Sequence, residues 1–552
     1  MYTKFSISMS ETREEISAHV VTLRVWAFLR EERTLVVGLI LIGVWMRLFH
    51  LALVDLSVPF GYGGLFAEFA EQIVERGYAL PTRIDFYTDG GIPFAYPPLA
   101  FYFEAFLIDI LSLPKFQVAT MLPLVFAIAA LPLFYMLTEE LGLRLRTRLI
   151  ALLSFSTFPP LLVQQIEAAG LAESLGTLAI VGLALALVRA YKQGTVSSYL
   201  IAGLALAASV LASPGSAYAS TLTVVLFALV LIVSHTKHIL WVTGRLTTLL
   251  GTGLVVSSPY WLTVIARHGS GVFLDPFIAE HASLLGSLYA VLLNFVHFEV
   301  FQVSGSKFNT GTFPLLSDSI LLVGALWALF HRHIPLLVWF VIIFHIPRES
   351  SWLIATPAAL LIGFGASEVL IPLLANLSRK RFPRTQRLIS NGIIAILLIS
   401  YALLMPTLTV KALVRNHSGL SQASIAAMEW AKQNTPHDAT FVVMSRDQVL
   451  EWMPNLARRT VVNTPYGAEW EPEERTQAKR LNRALDGCSD IGCVSQEIKR
   501  MTSYDEIYLY LDNARLVNLT KESDVSTDQV RLEVLFENSE ATIGRLIASP
   551  GF

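Results

Sequence analysis

A polytopic helical membrane protein carrying a small C-terminal α/β domain is the fold class that this 552-residue sequence predicts. Three observations predict it. Hydrophobic residues make up 54% of the chain and charged residues only 15%, where a soluble protein carries roughly 25% charge. The mean hydropathy is +0.55. The charge is also unevenly spread: residues 411–552 hold 16 basic and 20 acidic residues, and the first 410 hold the remaining 48. Composition therefore divides a lead-in (1–34) and a membrane domain (35–410) from a water-soluble tail (411–552). A net charge of -2 excludes a globally basic nucleic-acid binder. Two cysteines exclude a cysteine-rich metal scaffold.

The lead-in carries Arg13, Arg24, Arg30 and Arg33 without the short apolar core and small-residue cleavage site of a signal peptide, and reads as cytoplasmic. Apolar runs near the roughly 20 residues of a span fall at 35–54, 117–138, 147–165, 173–190, 197–212, 217–233, 239–265, 317–331, 334–346, 351–375 and 389–408. That makes eleven. A twelfth run, 97–113, starts at Pro97-Pro98 and contains Glu104 and Asp109, which suits a helix lying in the membrane interface. The basic clusters Arg144 to Arg148, Arg189 with Lys192, His235 to His238, Arg332 and Arg379 to Arg387 share the side of the basic N-terminus only if 97–113 does not cross. The expected topology has the N-terminus inside, the tail outside, and long outer loops at 55–116 and 266–316. Long outer loops above short inner ones place the function on the outer face. No internal repeat, no matched pair of broken spans and little charge within the spans weigh against an ion-coupled transporter.

The first outer loop reads Tyr62-Gly-Gly-Leu-Phe-Ala-Glu68-Phe-Ala-Glu71-Gln-Ile-Val-Glu75-Arg-Gly77, then Pro81, then Tyr96-Pro97-Pro98-Leu99 opening an apolar helix. This resembles the first outer loop of C-type (GT-C) membrane glycosyltransferases, in the polyprenyl-phosphate-dependent branch of the protein O-mannosyltransferases and the lipid A aminoarabinose transferase. The family layout has an inside N-terminus, an interfacial helix after the first loop and an outer C-terminal domain, as the charge distribution also gives. Two weaker echoes follow. Pro347-Arg348-Glu-Ser-Ser-Trp352 resembles the family's late outer turn, and Gln164-Gln-Ile-Glu167-Ala-Ala-Gly-Leu-Ala-Glu173 its second outer acidic loop. One departure stands out: Tyr62 and Gly63 occupy the place of the family's Asp-Glu pair. A nearby carboxylate replaces it, or the chain belongs to a divergent branch, or it has lost transfer activity.

The resemblance implies transfer of a sugar from a polyprenyl-phosphate donor to a glycan, lipid or protein acceptor at the outer face of the cell membrane. Such chemistry needs a carboxylate for the acceptor and positive charge for the departing phosphate. Asp55, at the outer end of the first span, is the expected base. Glu68, on the loop helix with Glu71 and Glu75 at i+3 and i+7, is its orienting partner, because the family helix also carries an acid after its aromatic-Ala pair. Tyr62, Asp85, Tyr96, Glu167, Glu173 and Arg348 are expected at the substrate, Arg348 as a bidentate phosphate ligand. His268, His281, His297 and Glu299 show no metal-ligand spacing, and a divalent ion stays open. The alternative is a non-catalytic binding or transport protein for lipid-linked glycans.

The tail predicts a helix at 421–433, strands at 441–444, 459–463, 506–511, 531–536 and 541–547, and helices at 472–485 and 493–501, an α/β domain. It lacks a nucleotide-binding glycine loop. Cys488 and Cys493, in a segment placed outside, are expected to pair as a disulfide.

Overall fold

The computed structural model describes residues 32–55, 57–273, 313–344, 352–381, 420–502, 506–521 and 530–548, with 400, 404, 407 and 411 singly. Glu32–Leu48, continued by a tight turn to Ala52, matches the first expected span. Helices also lie over eight more of the expected runs, at Lys115–Glu140, Leu171–Gln193, Val196–Ala212, Pro214–Ser234, Ile239–His268, Phe313–Phe330, Ile334–Phe344 and Ala355–Phe364. The last of these runs on through a π-helical turn toward Arg381. Among the described residues, six helices are long and apolar enough to cross a membrane singly. The expected 147–165 span is instead two helices, Leu145–Ser156 and Pro159–Ile166, bent by 44°. Pro159 and Pro160 cannot donate the amide bonds that would continue the first of them. The 389–408 span lies almost wholly outside the described residues. Leu99–Asp109 covers the interfacial run with 11 residues, about 16 Å at 1.5 Å per residue, well short of a bilayer core. Its buried side, Ala100, Phe101 and Ala105, packs on Phe69 and Ile73 of the helix Gly64–Glu75, while Phe103 and Phe106 are exposed.

Bundle helices lock through aromatic stacking and through one buried cation. Phe134 and Phe155 stack at 4.3 Å. Arg47, fully buried, donates to the carbonyls of Gly43 and Ser156, bracing the ends of two helices whose C-terminal dipoles favour a positive charge. At the opposite end Arg148 pairs with Glu32 at 2.9 Å and Glu139 at 3.0 Å. Arg189 and Lys192 there share Glu140.

The C-terminal domain folds on a five-stranded sheet ordered β4-β3-β5-β7-β6: β3 Thr440–Met444, β4 Thr460–Val461, β5 Tyr508–Asp512, β6 Val530–Glu537 and β7 Ala541–Ala548. β3 runs parallel to β4 and β5, and β7 antiparallel to β5 and β6. Alternation along the strands sends Phe441, Val443, Tyr508, Tyr510 and Ile543 to one face, under helices Gln422–Asn434 and Asp447–Ala457. Val442, Met444, Leu509 and Leu511 face the other way, under Pro472–Asp486 and Ile491–Met501. The helix Asp447–Ala457 was not expected from the sequence, and Pro454 inside it masks its period. Cys488 and Cys493 are bonded to each other. Thiol counting on denatured, non-reduced protein is therefore expected to find no free thiol, and two per chain would contradict the pairing.

The long loop after the first helix joins this domain. Its two short strands, β1 Arg83–Ile84 and β2 Ile92–Pro93, pair antiparallel. Beyond β1, Tyr87 bridges in parallel to Val461, with the Val461 amide donating to the Phe86 carbonyl at 3.0 Å. The loop thereby extends the sheet at β4, which would otherwise be an open edge.

Candidate active site

The segment Phe60–Leu65 is held on two sides, which is why it is rich in glycine. Gly61 and Gly63 have φ of +72° and +152°, conformations that side-chain-bearing residues rarely adopt. A Cβ on Gly61 would stand 2.8 Å from Glu167 Cγ, and one on Gly64 2.7 Å from Trp452 Cα. The loop around Glu167 therefore presses on one side and the C-terminal domain on the other. Backbone bonds fix both contacts: the Ala168 amide donates to Phe60 O at 3.0 Å, the Ala169 amide to Tyr62 O at 2.6 Å, and Trp452 Nε1 to Gly61 O at 3.1 Å.

Four of the residues expected at the substrate meet on this frame. The Tyr62 ring lies 5.7 Å from that of Tyr466. Tyr96 contacts Phe66 at 5.2 Å and Trp470 at 5.6 Å, and its hydroxyl is 3.5 Å from Glu173 Oε1. Glu167 sits against Gly61. Desolvation, then the charges of Glu451 and Glu173, pushes its carboxyl up to about 8. The cluster is an acid pair walled by aromatic rings, open to contributions from both the membrane domain and the tail.

The other acids of the loop do a different job. Glu68 is fully buried and accepts from Gln72 Nε2 at 2.8 Å and Asn455 Nδ2 at 2.7 Å. Arg458 Nη1 stands 3.6 Å from it. Desolvation carries Glu68 up to about 7 against the pull of Arg458. Glu71 pairs with Lys115 at 2.7 Å and Glu75 with Arg458 at 2.8 Å. The acidic stripe of the loop helix is thus a docking face for Asn455 and Arg458. Glu451 and Asn455 stand at i and i+4 of the helix Asp447–Ala457, and Arg458 is its left-handed C-cap; the polar i, i+4 pair is the signal by which this face was findable.

No family model matches the chain, and no curated protein matches it in sequence. Solved structures do match in shape. The archaeal oligosaccharyltransferase AglB from Archaeoglobus fulgidus, in complex with an inhibitory peptide and a dolichol-phosphate, aligns over 95% of this chain and 75% of its own, with a TM-score of 0.57 and 14% identity. ArnT from Cupriavidus metallidurans, bound to undecaprenyl phosphate, aligns over 93% of this chain and 97% of its own, at 0.52 and 14%. The arabinofuranosyltransferase AftD from Mycobacteria aligns over 95% of this chain and 40% of its own, at 0.52 and 12%. The fold is that of the GT-C glycosyltransferases. At these identities residue roles rest on this chain's own geometry.

Within this GT-C fold the remaining expected residues are spread out. Asp55 is exposed, and its Oδ1 accepts from the Ser57 hydroxyl at 2.6 Å and amide at 2.9 Å. Those bonds hold it below the usual carboxylate range. Ser57 in turn accepts from Gln422 and lines a cleft of about 620 Å³ with Glu71, Lys115, Lys432, Asn455 and Arg458. Asp85 is exposed, 3.9 Å from Arg76. Arg348, His281, His297 and Glu299 lie outside the described residues, and His268 ends the helix Ile239–His268. Among the described residues no three His, Cys, Asp or Glu side chains converge to hold a metal ion. Glu451 spends its carboxylate on backbone amides.

Proposed function

We propose that this integral membrane protein transfers a sugar from a polyprenyl-phosphate donor to a hydroxyl-bearing acceptor, with Glu167 as general base. The observation that carries the reading is the convergence of Tyr62, Tyr96, Glu167 and Glu173 beside the glycine-rich turn, on a fold shared with proteins solved with dolichol-phosphate and undecaprenyl phosphate. The acceptor oxygen attacks the anomeric carbon, the bond from that carbon to the phosphate oxygen breaks, and Glu167 takes the acceptor's proton as the polyprenyl phosphate leaves. Ring stacking from Tyr62 and Tyr96 suits the apolar face of a sugar. A base is most effective with its proton affinity near working pH, which fits Glu167 better than the low-lying, exposed Asp55. The role expected for Asp55 passes to Glu167 in this proposal, and Glu68 becomes a structural anchor. Arg348 stays the proposed ligand for the donor phosphate. Mass spectrometry of lipid carried through purification tests the donor class. A polyprenyl phosphate is expected, and bulk phospholipid alone would count against the reading.

The outer face is proposed as the site of transfer on the basis of the one-sided basic clusters. Single cysteines at the exposed Ser112 and Arg146 test this, the native pair being bonded. A membrane-impermeant thiol reagent is expected to label Ser112→Cys in intact cells and to leave Arg146→Cys unlabelled. The reverse pattern would overturn the orientation.

A further inference from the structure

We infer that Glu451, supplied by the C-terminal domain, is a positioning residue of this site, holding Gly63–Leu65, and with them Tyr62, against the Glu167 loop. The inference rests on the reading of that cluster as the transfer site. Glu451 is 4% exposed. Its Oε2 accepts from the Gly63 amide at 2.7 Å across 388 residues of sequence, and its Oε1 from the Leu65 amide at 3.5 Å. These amides open the helix Gly64–Glu75. The first amides of a helix have no partner within it, and its positive end favours a carboxylate. Gly63, at the N-cap, has no side chain to offer, so the cap arrives from another domain. Further bonds pin the donor helix in register: the Tyr87 hydroxyl donates to the Glu451 carbonyl at 2.9 Å, and the neighbouring Trp452 ring to Gly61 O.

A contact made only for docking needs no charge at this end, because Asn455 and Arg458 already bind the middle and far turns of the loop helix. Glu451 instead lies at the end that carries Tyr62. The groups facing it are the amides of Gly63 to Leu65, Tyr87, Glu469 and Glu167; those facing Glu167 are Glu451 and Glu173. Burial, opposed by the three amides, raises Glu451 to about 7, and the charge of Glu451 is one of the causes that raise Glu167.

The test is an infrared pH titration of protonated carboxyl bands in the full-length protein in lipid nanodiscs, with Glu167 assigned by the band lost in Glu167→Gln. No sugar donor is used, so failure here and failure of the transferase reading are distinguishable. In Glu451→Gln, Glu167 is expected to ionise about one pH unit lower, and the Gly63 and Leu65 amides to exchange hydrogen about tenfold faster as a charge-assisted bond is lost. Glu451→Asp keeps the charge with a shorter reach, and is expected to restore both the titration and the amide protection in part. Gly64→Ala drives a methyl into the Trp452 backbone and leaves every carboxyl in the chain, and is expected to lower the Glu167 titration as well. That variant decides the matter if Glu451→Gln does not fold. A Glu167 titration unmoved in Glu451→Gln and Gly64→Ala, even with faster exchange, makes Glu451 a structural cap only and overturns the inference.

Discussion

Glu167→Gln is expected to lower sugar transfer by about 100- to 10,000-fold, the usual contribution of a general base, while binding of the polyprenyl-phosphate donor is retained. The substitution keeps shape and removes only the ability to take a proton. In the wild-type protein the rate is expected to rise with pH through about 8, because burial and the charges of Glu451 and Glu173 raise the Glu167 carboxyl to that value. Below it the acid is protonated and cannot serve as base. The rise is expected to disappear in Glu167→Gln. Asp55→Asn is expected to stay within a few-fold of wild type, since the Asp55 side chain bonds only Ser57 among the described residues. A collapse of transfer in Asp55→Asn with full rate in Glu167→Gln would return the base to Asp55 and move the site to the cleft beside Ser57.

Arg458→Ala is expected to loosen the C-terminal domain from the loop helix by about 2 kcal/mol at pH 8, about 1.4 kcal/mol of it the cost of protonating Glu68 one pH unit above its titration, or roughly thirtyfold in the opening equilibrium. Arg458 serves Glu68, Glu71 and Glu75 together, and Glu68 is left buried without a counter-charge. The pH dependence follows from sign. Glu68 in the folded protein lies at about 7, above its ordinary 4.5, so docking is strongest below pH 4.5 and weakens as pH rises toward 7. Without Arg458 the Glu68 carboxyl rises further, the weakening continues to higher pH, and the variant approaches wild type near pH 5. Hydrogen exchange of helices Gly64–Glu75 and Asp447–Ala457 measures this. Equal protection in both proteins at pH 8 would show that Arg458 contributes nothing to docking.

How much of this was legible depends on which interactions are local. The apolar helices, the short helix after Pro97-Pro98 and the strands of the tail follow from apolar runs and turn residues, and they appear within a few residues of where the sequence places them. The bend at Pro159 leaves no mark on the apolar pattern, because the apolar run continues unbroken through it. Tyr62, Tyr96, Glu167 and Glu173 came from motif resemblance, and the fold brings them together. What the sequence hid is long-range: Glu451, Asn455 and Arg458 lie some 380 residues beyond the loop they grip. Their helix carries a proline that blurs its pattern. The stripe Glu68, Glu71 and Glu75 could be read as solvated until a cationic partner was placed against it. Likewise the three glycines at 61, 63 and 64 each meet a different, distant neighbour.

The most direct measurement of the central claim is a transfer assay in nanodiscs with a polyprenyl-phosphate-linked sugar extracted from the source membranes. Free polyprenyl phosphate and acceptor-bound sugar are followed together in wild type and in Glu167→Gln. Matched release of polyprenyl phosphate and gain of sugar by the acceptor, abolished in Glu167→Gln with donor still bound, is the predicted result. Donor that binds and is recovered intact from the wild-type protein would contradict it, and would leave a protein that holds lipid-linked glycans without transferring them.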